Sequence, residues 1–478
     1  MPSPESACIS ALRAACQRQS RWRKTILAGG LALALVVASL LLMVSCQSDA
    51  SPTPGPTMTP TAAATAAPVA AKVPQPVKIV FWHTQRDDSP GGKLLAQMAQ
   101  RFHQEYPWIT VEPAYVGNYD DLAKKVVAAI QAGNPPGVAA AHGSSIAEFI
   151  KAGALVPLAP YIADPQIGLA DDDREDIFPG YWDAGLLPEF DNQMFSFPFS
   201  EEALALYYNR KALQAAGLAK PPSTWAEFEQ ACLKTTRGDV RGFAGRQDAL
   251  TFTGWLYSLG ASLLNSDQSK ALFDGAEGVE LLETWNRLLG PGAAWKPAEE
   301  GGDRLAFANG KAVFTLDLIG QAPNYAQAVQ EAGSAVEWGC TIIPQREPAR
   351  PRTVLSGANL CVFRTDEARQ QAAWLFIRWL TATDQTAAWG QLPGQTPIRR
   401  SAVKKLADSG WLEQNPLAKE IFETVIPYAY PAPNVRGAQE IGEIIAEAWA
   451  AAAAGTETPQ QALSAAAAKA NATLAAKR

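Results

Sequence analysis

The chain has 478 residues, 47% of them hydrophobic and 18% charged, with a formal net charge of −6. That balance is ordinary for water-soluble material, and the length exceeds one comfortable core, so two domains are expected. The negative charge, with no basic run beyond the N-terminal segment, excludes the usual basic surface for nucleic acid.

Arg18, Arg21, Arg23 and Lys24 precede an uncharged stretch, 26–44, in the order of a secretory signal. The stretch ends Met43-Val44-Ser45-Cys46. Small residues before a Cys at this place resemble a bacterial lipobox, whose Cys is lipidated and becomes the first mature residue. Met43 stands where Leu is usual. On this reading 1–45 is a signal peptide, Cys46 carries the lipid, and the rest is held outside the cell membrane. The alternative is an uncleaved transmembrane anchor, since the stretch is just long enough to span a bilayer. Residues 46–76 are Ser, Thr, Pro and Ala with almost no large apolar side chain. Such a segment buries too little surface to offset its ordering entropy, and reads as a disordered tether.

From 77 onward the chain alternates strands and helices. Residues 77–82 read as a strand, and 93–106 as a helix, with Leu94, Leu95, Met98, Phe102 and Tyr106 at helical spacing. Residues 109–115 are a second strand and 119–132 a second helix, ended by Gly133; 137–141 and 145–152 repeat the pattern. This βαβα order implies an α/β fold around a mostly parallel, doubly wound sheet, whose ligands bind outside the carboxyl ends of the strands. Further helices are expected at 209–216, 224–235, 278–289, 367–380, 384–391, 416–428, 438–453 and 459–477. Cys340 and Cys361 lie in strand-like runs, 337–343 and 358–363. An exported disulfide between them is one reading, and buried free thiols are the preferred one.

The motifs of common catalysts are absent. There is no H-E-x-x-H, no G-x-S-x-G, no phosphate loop and no paired C-x-x-C. The three histidines, His83, His103 and His142, are too scattered to suggest a metal site, and no cofactor is implied. Aromatic residues are plentiful, with 14 Trp, 11 Tyr and 17 Phe. Most are expected in the core, but Trp and Tyr faces also suit the C–H face of a sugar ring, and carboxylates suit its hydroxyls.

The run 198–211, Pro-Phe-Ser-Glu-Glu-Ala-Leu-Ala-Leu-Tyr-Tyr-Asn-Arg-Lys, followed by Pro221-Pro222-Ser223-Thr224-Trp225, resembles the most recognisable segment of the extracellular solute-binding proteins typified by the maltose binder. Other segments agree in order: Phe81-Trp82-His83, 115–119 (Tyr-Val-Gly-Asn-Tyr), 307–312 (Phe-Ala-Asn-Gly-Lys-Ala), 394–399 and 458–463. The second of these resembles the glycerol-phosphate-binding member. The resemblance covers 77 to the C-terminus.

It implies the type II periplasmic-binding-protein fold: two discontinuous α/β lobes, 77–199 with 345–395 and 200–344 with 396–478, joined by hinge strands near 197–201 and 341–345. It implies a monomer that is not an enzyme, holds a carbohydrate between its lobes, and delivers it to the permease of an ATP-binding-cassette (ABC) importer. Carried over position by position, the ligand set is Glu202, Asp248, Tyr119 and Gly357, with Gln321, Gln395 and Arg436 on segments that reach the cleft. Gly143 stands where the maltose binder has a carboxylate, which argues against maltose. The Glu201-Glu202 pair replaces small hydroxyl residues of the glycerol-phosphate binder and would repel a phosphate. A glycan-active enzyme using Glu202 and Asp248, a binder of a polyol or glycerol phosphate diester, and an inert scaffold remain the alternatives.

Overall fold

The computed structural model describes residues 75–477. The signal, the tether up to residue 74 and the expected lipidation site, Cys46, lie outside the described residues.

The strands, in chain order, are β1 (Val77–His83), β2 (Ile109–Tyr115), β3 (Val138–His142), β4 (Leu186–Leu187), β5 (Gln193–Met194), β6 (Ser196–Asn209), β7 (Arg241–Ala244), β8 (Ala294–Trp295), β9 (Ala312–Leu318), β10 (Trp338–Ile342), β11 (Thr353–Val362) and β12 (Ala429–Pro431). Ten of them form one sheet in the order β2-β1-β3-β11-β6-β9-β7-β8, with β10 added on β6 and β12 on β11.

The first lobe is built as the sequence implies. β1 buries Ile79, Phe81 and His83 on alternate positions and pairs in parallel with β2 and β3. The first helix, Pro90–Glu105, begins three residues before the expected start at 93, because the Ser89 side chain accepts from the Gly92 N–H and Pro90 occupies the first turn. Leu95, Met98, Ala99 and Phe102 face inward. The helix Tyr119–Gln131 is fixed by a capping box between Asn118 and Asp121.

β6 carries the chain from one lobe to the other. Its N-terminal half lies along β11, from Ser196 opposite Cys361 to Ala203 opposite Leu355, with a register shift at Ala358/Asn359. Its C-terminal half pairs instead with β9 and β10. Phe197 therefore packs on Trp182 and Trp374 in the first lobe. Leu204 and Leu206 join the second core, where Trp225 stacks on Trp255 with ring centroids 4.1 Å apart.

At the expected second hinge, 341–345, Thr341 and Ile342 pair with β6, and Arg346 bonds Glu277 and Glu280. The crossing is made by β11, whose Val354 is buried in the second core while Leu360 and Val362 lie in the first. Thr396 bonds Tyr181, Ile398 accepts from the Phe178 N–H, and buried Arg399 bonds Asp173 and Asp176. Further on, Glu420 of the helix Pro416–Thr424 accepts from Tyr208 and Arg210, and β12 pairs with β11. The Arg399 guanidinium, with its side chain 2% exposed, needs the carboxylates of residues 173–176.

Candidate functional site

Glu201 and Glu202 lie midway along β6, opposite Gly357 and Ser356 of β11, where both crossing strands pass between lobes. Gly357 has no room for a side chain, since a Cβ would stand 2.5 Å from Glu201 Cα and meet the Ser200 carbonyl. The two strands thus approach closely at this point.

The Glu202 carboxylate accepts from the backbone N–H of Gly320, in the turn after β9. Burial pushes its pKa up to about 7, the Asp317 charge adds to this, and the Gly320 bond opposes it. Glu201 is more deeply buried and is pushed up to about 8, first by burial and then by Glu202. From the first lobe, Tyr119 sets its ring edge-on to His142 at 4.2 Å and bonds the Thr84 side chain. Burial, with the charges of Glu202 and Glu201, pushes the Tyr119 hydroxyl up to about 12. The His142 ring bonds the Gly357 backbone, and burial lowers its pKa. These four side chains all stand at or beyond strand ends or on the crossing strand.

Arg246, just past β7, is the cation the sequence reading passed over. Its Nε donates to Asp303 Oδ2 at 2.8 Å, and a second nitrogen bonds Asp317, which also accepts from the Tyr325 hydroxyl at 3.2 Å. Burial opposes the Arg246 charge, but the two carboxylates outweigh it and hold its pKa above the usual range. Burial also lifts Asp317, against the pull of Arg246.

The other sequence candidates fall into place unevenly. Asp248 caps the helix Ala249–Ser258, its Oδ1 accepting from the Thr251 N–H at 2.7 Å. Gln321 follows Gly320 and accepts from Arg304 and Asn324. Gln395 accepts from Ser200 Oγ at 3.0 Å, one residue before Glu201. Arg436 is 6% exposed, and its Nε donates to Glu189 at 2.6 Å, an ion pair between the segment after β12 and the first lobe. Gly143 has no space for a carboxylate, because Asn434 occupies the position a Cβ would take. Glu202, Tyr119, Gly357 and Gln395 are therefore brought together, with Gln321 beside Gly320, whereas Asp248 and Arg436 are committed to a helix cap and an ion pair. Among the described residues, no group of three or more His, Cys, Asp or Glu is arranged to hold a metal ion. Cys232, Cys340 and Cys361 are free and buried.

Comparison with known proteins gives a family match over residues 97–420, to bacterial extracellular solute-binding proteins. The chain belongs to that family. The sn-glycerol-3-phosphate-binding periplasmic protein UgpB of Salmonella typhimurium is 26% identical over 413 residues, covering 80% of this chain and 90% of the relative. Among solved structures, the sugar-binding protein MalE of Xanthomonas citri superposes with a TM-score of 0.73 at 22% identity, covering 84% of this chain and 98% of that one. The cyclic α-maltosyl-1,6-maltose binding protein of Arthrobacter globiformis gives 0.72 at 23% identity, with 84% and 99% covered. UgpB of Mycobacterium tuberculosis, solved with glycerophosphocholine, gives 0.68 at 21% identity with the same coverage. The two-lobed fold is thus that of the solute-binding proteins of ABC importers. Among the described residues, no helix is long and apolar enough to cross a membrane.

Proposed function

We propose that this chain is a receptor, not an enzyme, that binds a neutral carbohydrate between its lobes and passes it to an ABC permease. A lipid on Cys46 holds it at the outer face of the cell membrane, and it works as a monomer. The observation that carries the reading is the convergence on Glu202: its carboxylate lies on the crossing strand, takes a bond from second-lobe Gly320, and shares its surroundings with first-lobe Tyr119. A ligand contacting these groups touches both lobes, so its contacts are complete only in one lobe arrangement and draw the equilibrium there. Lobes proposed at about 77–199 with 357–414, and 203–355 with 416–477, follow the packing.

Titration calorimetry of the mature chain against mono- and oligosaccharides tests this. Glu202→Ala is expected to weaken sugar binding by about 1.5–3 kcal/mol, the scale of a hydrogen bond to a charged group, with the sugar recovered intact. Wild-type affinity in the variant would return Glu202 to a structural role, and accumulating product would make the protein an enzyme.

A second reading, a glycerol phosphate diester, is favoured by the names of the curated relatives and by Arg246 and Arg304 near the site. Glu201 and Glu202 speak against it only once ionised, above their raised pKa values of about 8 and about 7. Glycerophosphocholine in the same titration separates the two ligand classes.

A further inference from the structure

Gly320 stands between two spaces. On one side it holds the Glu202 carboxylate; on the other its carbonyl oxygen meets Gly394, where a Cβ would lie 2.7 Å away. Gly394 in turn lines a cavity of about 390 Å³. Its walls come from both lobes: Ile319 and Trp338 from the second, Phe422 from the helix Pro416–Thr424 that lies on β10, and Leu392 from the chain just past the helix Thr383–Gly390, which packs on the first. Glu202 and Tyr119 take no part in it.

No residue lining this cavity is charged. A charged occupant would lose its hydration and find no counter-charge, at a cost of several kcal/mol. The polar fringe is amide, with Gln391, Gln414 and Asn415 able to donate or accept. The rings in the walls are stacked on other rings. Trp411 stacks on Phe422 with centroids 6.4 Å apart and planes 19° off parallel, and Trp338 stacks on Tyr207 at 5.8 Å and 29°. They form fixed flat walls rather than a filling for the space. The volume lies in the range of small-molecule sites, roughly 300–1,000 Å³, and is too small for a folded partner.

We infer that this cavity is a second binding site, for an uncharged small molecule with a flat apolar ring and a hydroxyl or carbonyl group. It adjoins the solute site through Gln395 but is not lined by Glu202, Tyr119 or Gly357, and nothing in the argument depends on which solute that site takes. Because its walls belong to both lobes, an occupant has unequal contacts in different lobe arrangements and so shifts their balance.

The test uses 2-naphthol as probe and the mature chain, titrated by calorimetry. Saturable binding at one site per chain is expected. Ala418→Trp, on the helix Pro416–Thr424, and Ala326→Trp, on the opposite wall, each place an indole at the cavity and are expected to weaken the probe at least tenfold. Melting curves identify any variant that fails to fold, and the other then decides. 6-Hydroxynaphthalene-2-sulfonate, with the same rings and a charge, is expected to bind at least tenfold more weakly than 2-naphthol. Binding that never saturates, binding unchanged in a folded variant, or equal binding of the sulfonate would overturn the assignment.

Discussion

The Glu202 carboxylate and Gly320 fit each other without space for a methyl group: a Cβ on Gly320 would overlap the carboxyl carbon. The obstacle is the far end of a side chain, so it moves rather than breaking the fold. Gly320→Ala is therefore expected to leave the melting temperature nearly unchanged and to weaken ligand binding by about one charged hydrogen bond, 1.5–3 kcal/mol. Calorimetry beside a thermal melt reads both. A large loss of stability with unchanged affinity would mean that the contact belongs to folding alone.

Gly357→Ala has the opposite expectation. Its Cβ would meet the Ser200 carbonyl and Glu201 Cα, which are backbone atoms of the neighbouring strand and cannot rotate away. Overpacking between crossing strands should cost about 1–3 kcal/mol. Urea unfolding of the variant measures it, and a loss below about 0.5 kcal/mol, the range of neutral surface changes, would show that the strands part freely.

Both glutamates have raised pKa values, about 8 for Glu201 and about 7 for Glu202, against an ordinary value of 4.5. The folded chain keeps protons there that the unfolded chain releases, so their contribution is fully present below the unfolded carboxylate value. It is lost as the pH rises through the folded ones. Glu201→Gln removes that loss for the deeper of the two. The melting temperature of the variant relative to wild type should rise steadily between about pH 5 and pH 9. Parallel pH profiles would show that Glu201 ionises at its ordinary value.

Arg436 and Glu189 form a buried ion pair between segments of different lobes. Removing one member leaves the other charge without its counter-ion, so Arg436→Met should destabilise by about 3–5 kcal/mol. Adding Glu189→Leu should recover part of that loss. If the double variant is as unstable as the sum of the singles in chemical unfolding, the two charges are not coupled.

Cys232, Cys340 and Cys361 are fully buried, and burial pushes all three thiols up. Dithionitrobenzoate is expected to leave these three untouched in the native chain and to titrate them after denaturation. Rapid native labelling at any of them would reveal an opening of the core that holds it.

The first lobe was legible because its signals are local. Strand and helix alternate from 77 to 151, and Asn118 and Asp121 cap their helix from three residues apart. The helix Ala249–Ser258 was missed for a physical reason: it buries Phe252, Thr253, Gly254, Trp255 and Leu256 in succession, so it has no polar face to give a period. β6 also hides, since two glutamates interrupt an apolar run that the structure extends over 14 residues. Glu202 was reachable through its motif, whereas Gly320 was not, because a glycine that makes way for a carboxylate leaves no mark of its own. The Arg246 contacts lie 57 and 71 residues away in sequence, beyond any local pattern. Gln345 closes its loop onto Ile343 and Arg352, a contact that no local pattern in the sequence announces.

The three passages between lobes also bear on synthesis. β3 emerges from the ribosome 215 residues before β11, its antiparallel neighbour (Val138 to Thr353). Until then one side of the nascent β3 has open hydrogen-bonding groups, and β1, β2 and β3 form an incomplete lobe. The second lobe waits in turn for its last two helices, Ala438–Ala453 and Pro459–Lys477, which bury Trp449 and Leu463 in its core. Neither half can close early as an independent unit, so the polypeptide depends on being kept from aggregation until the helix Pro459–Lys477 has been made.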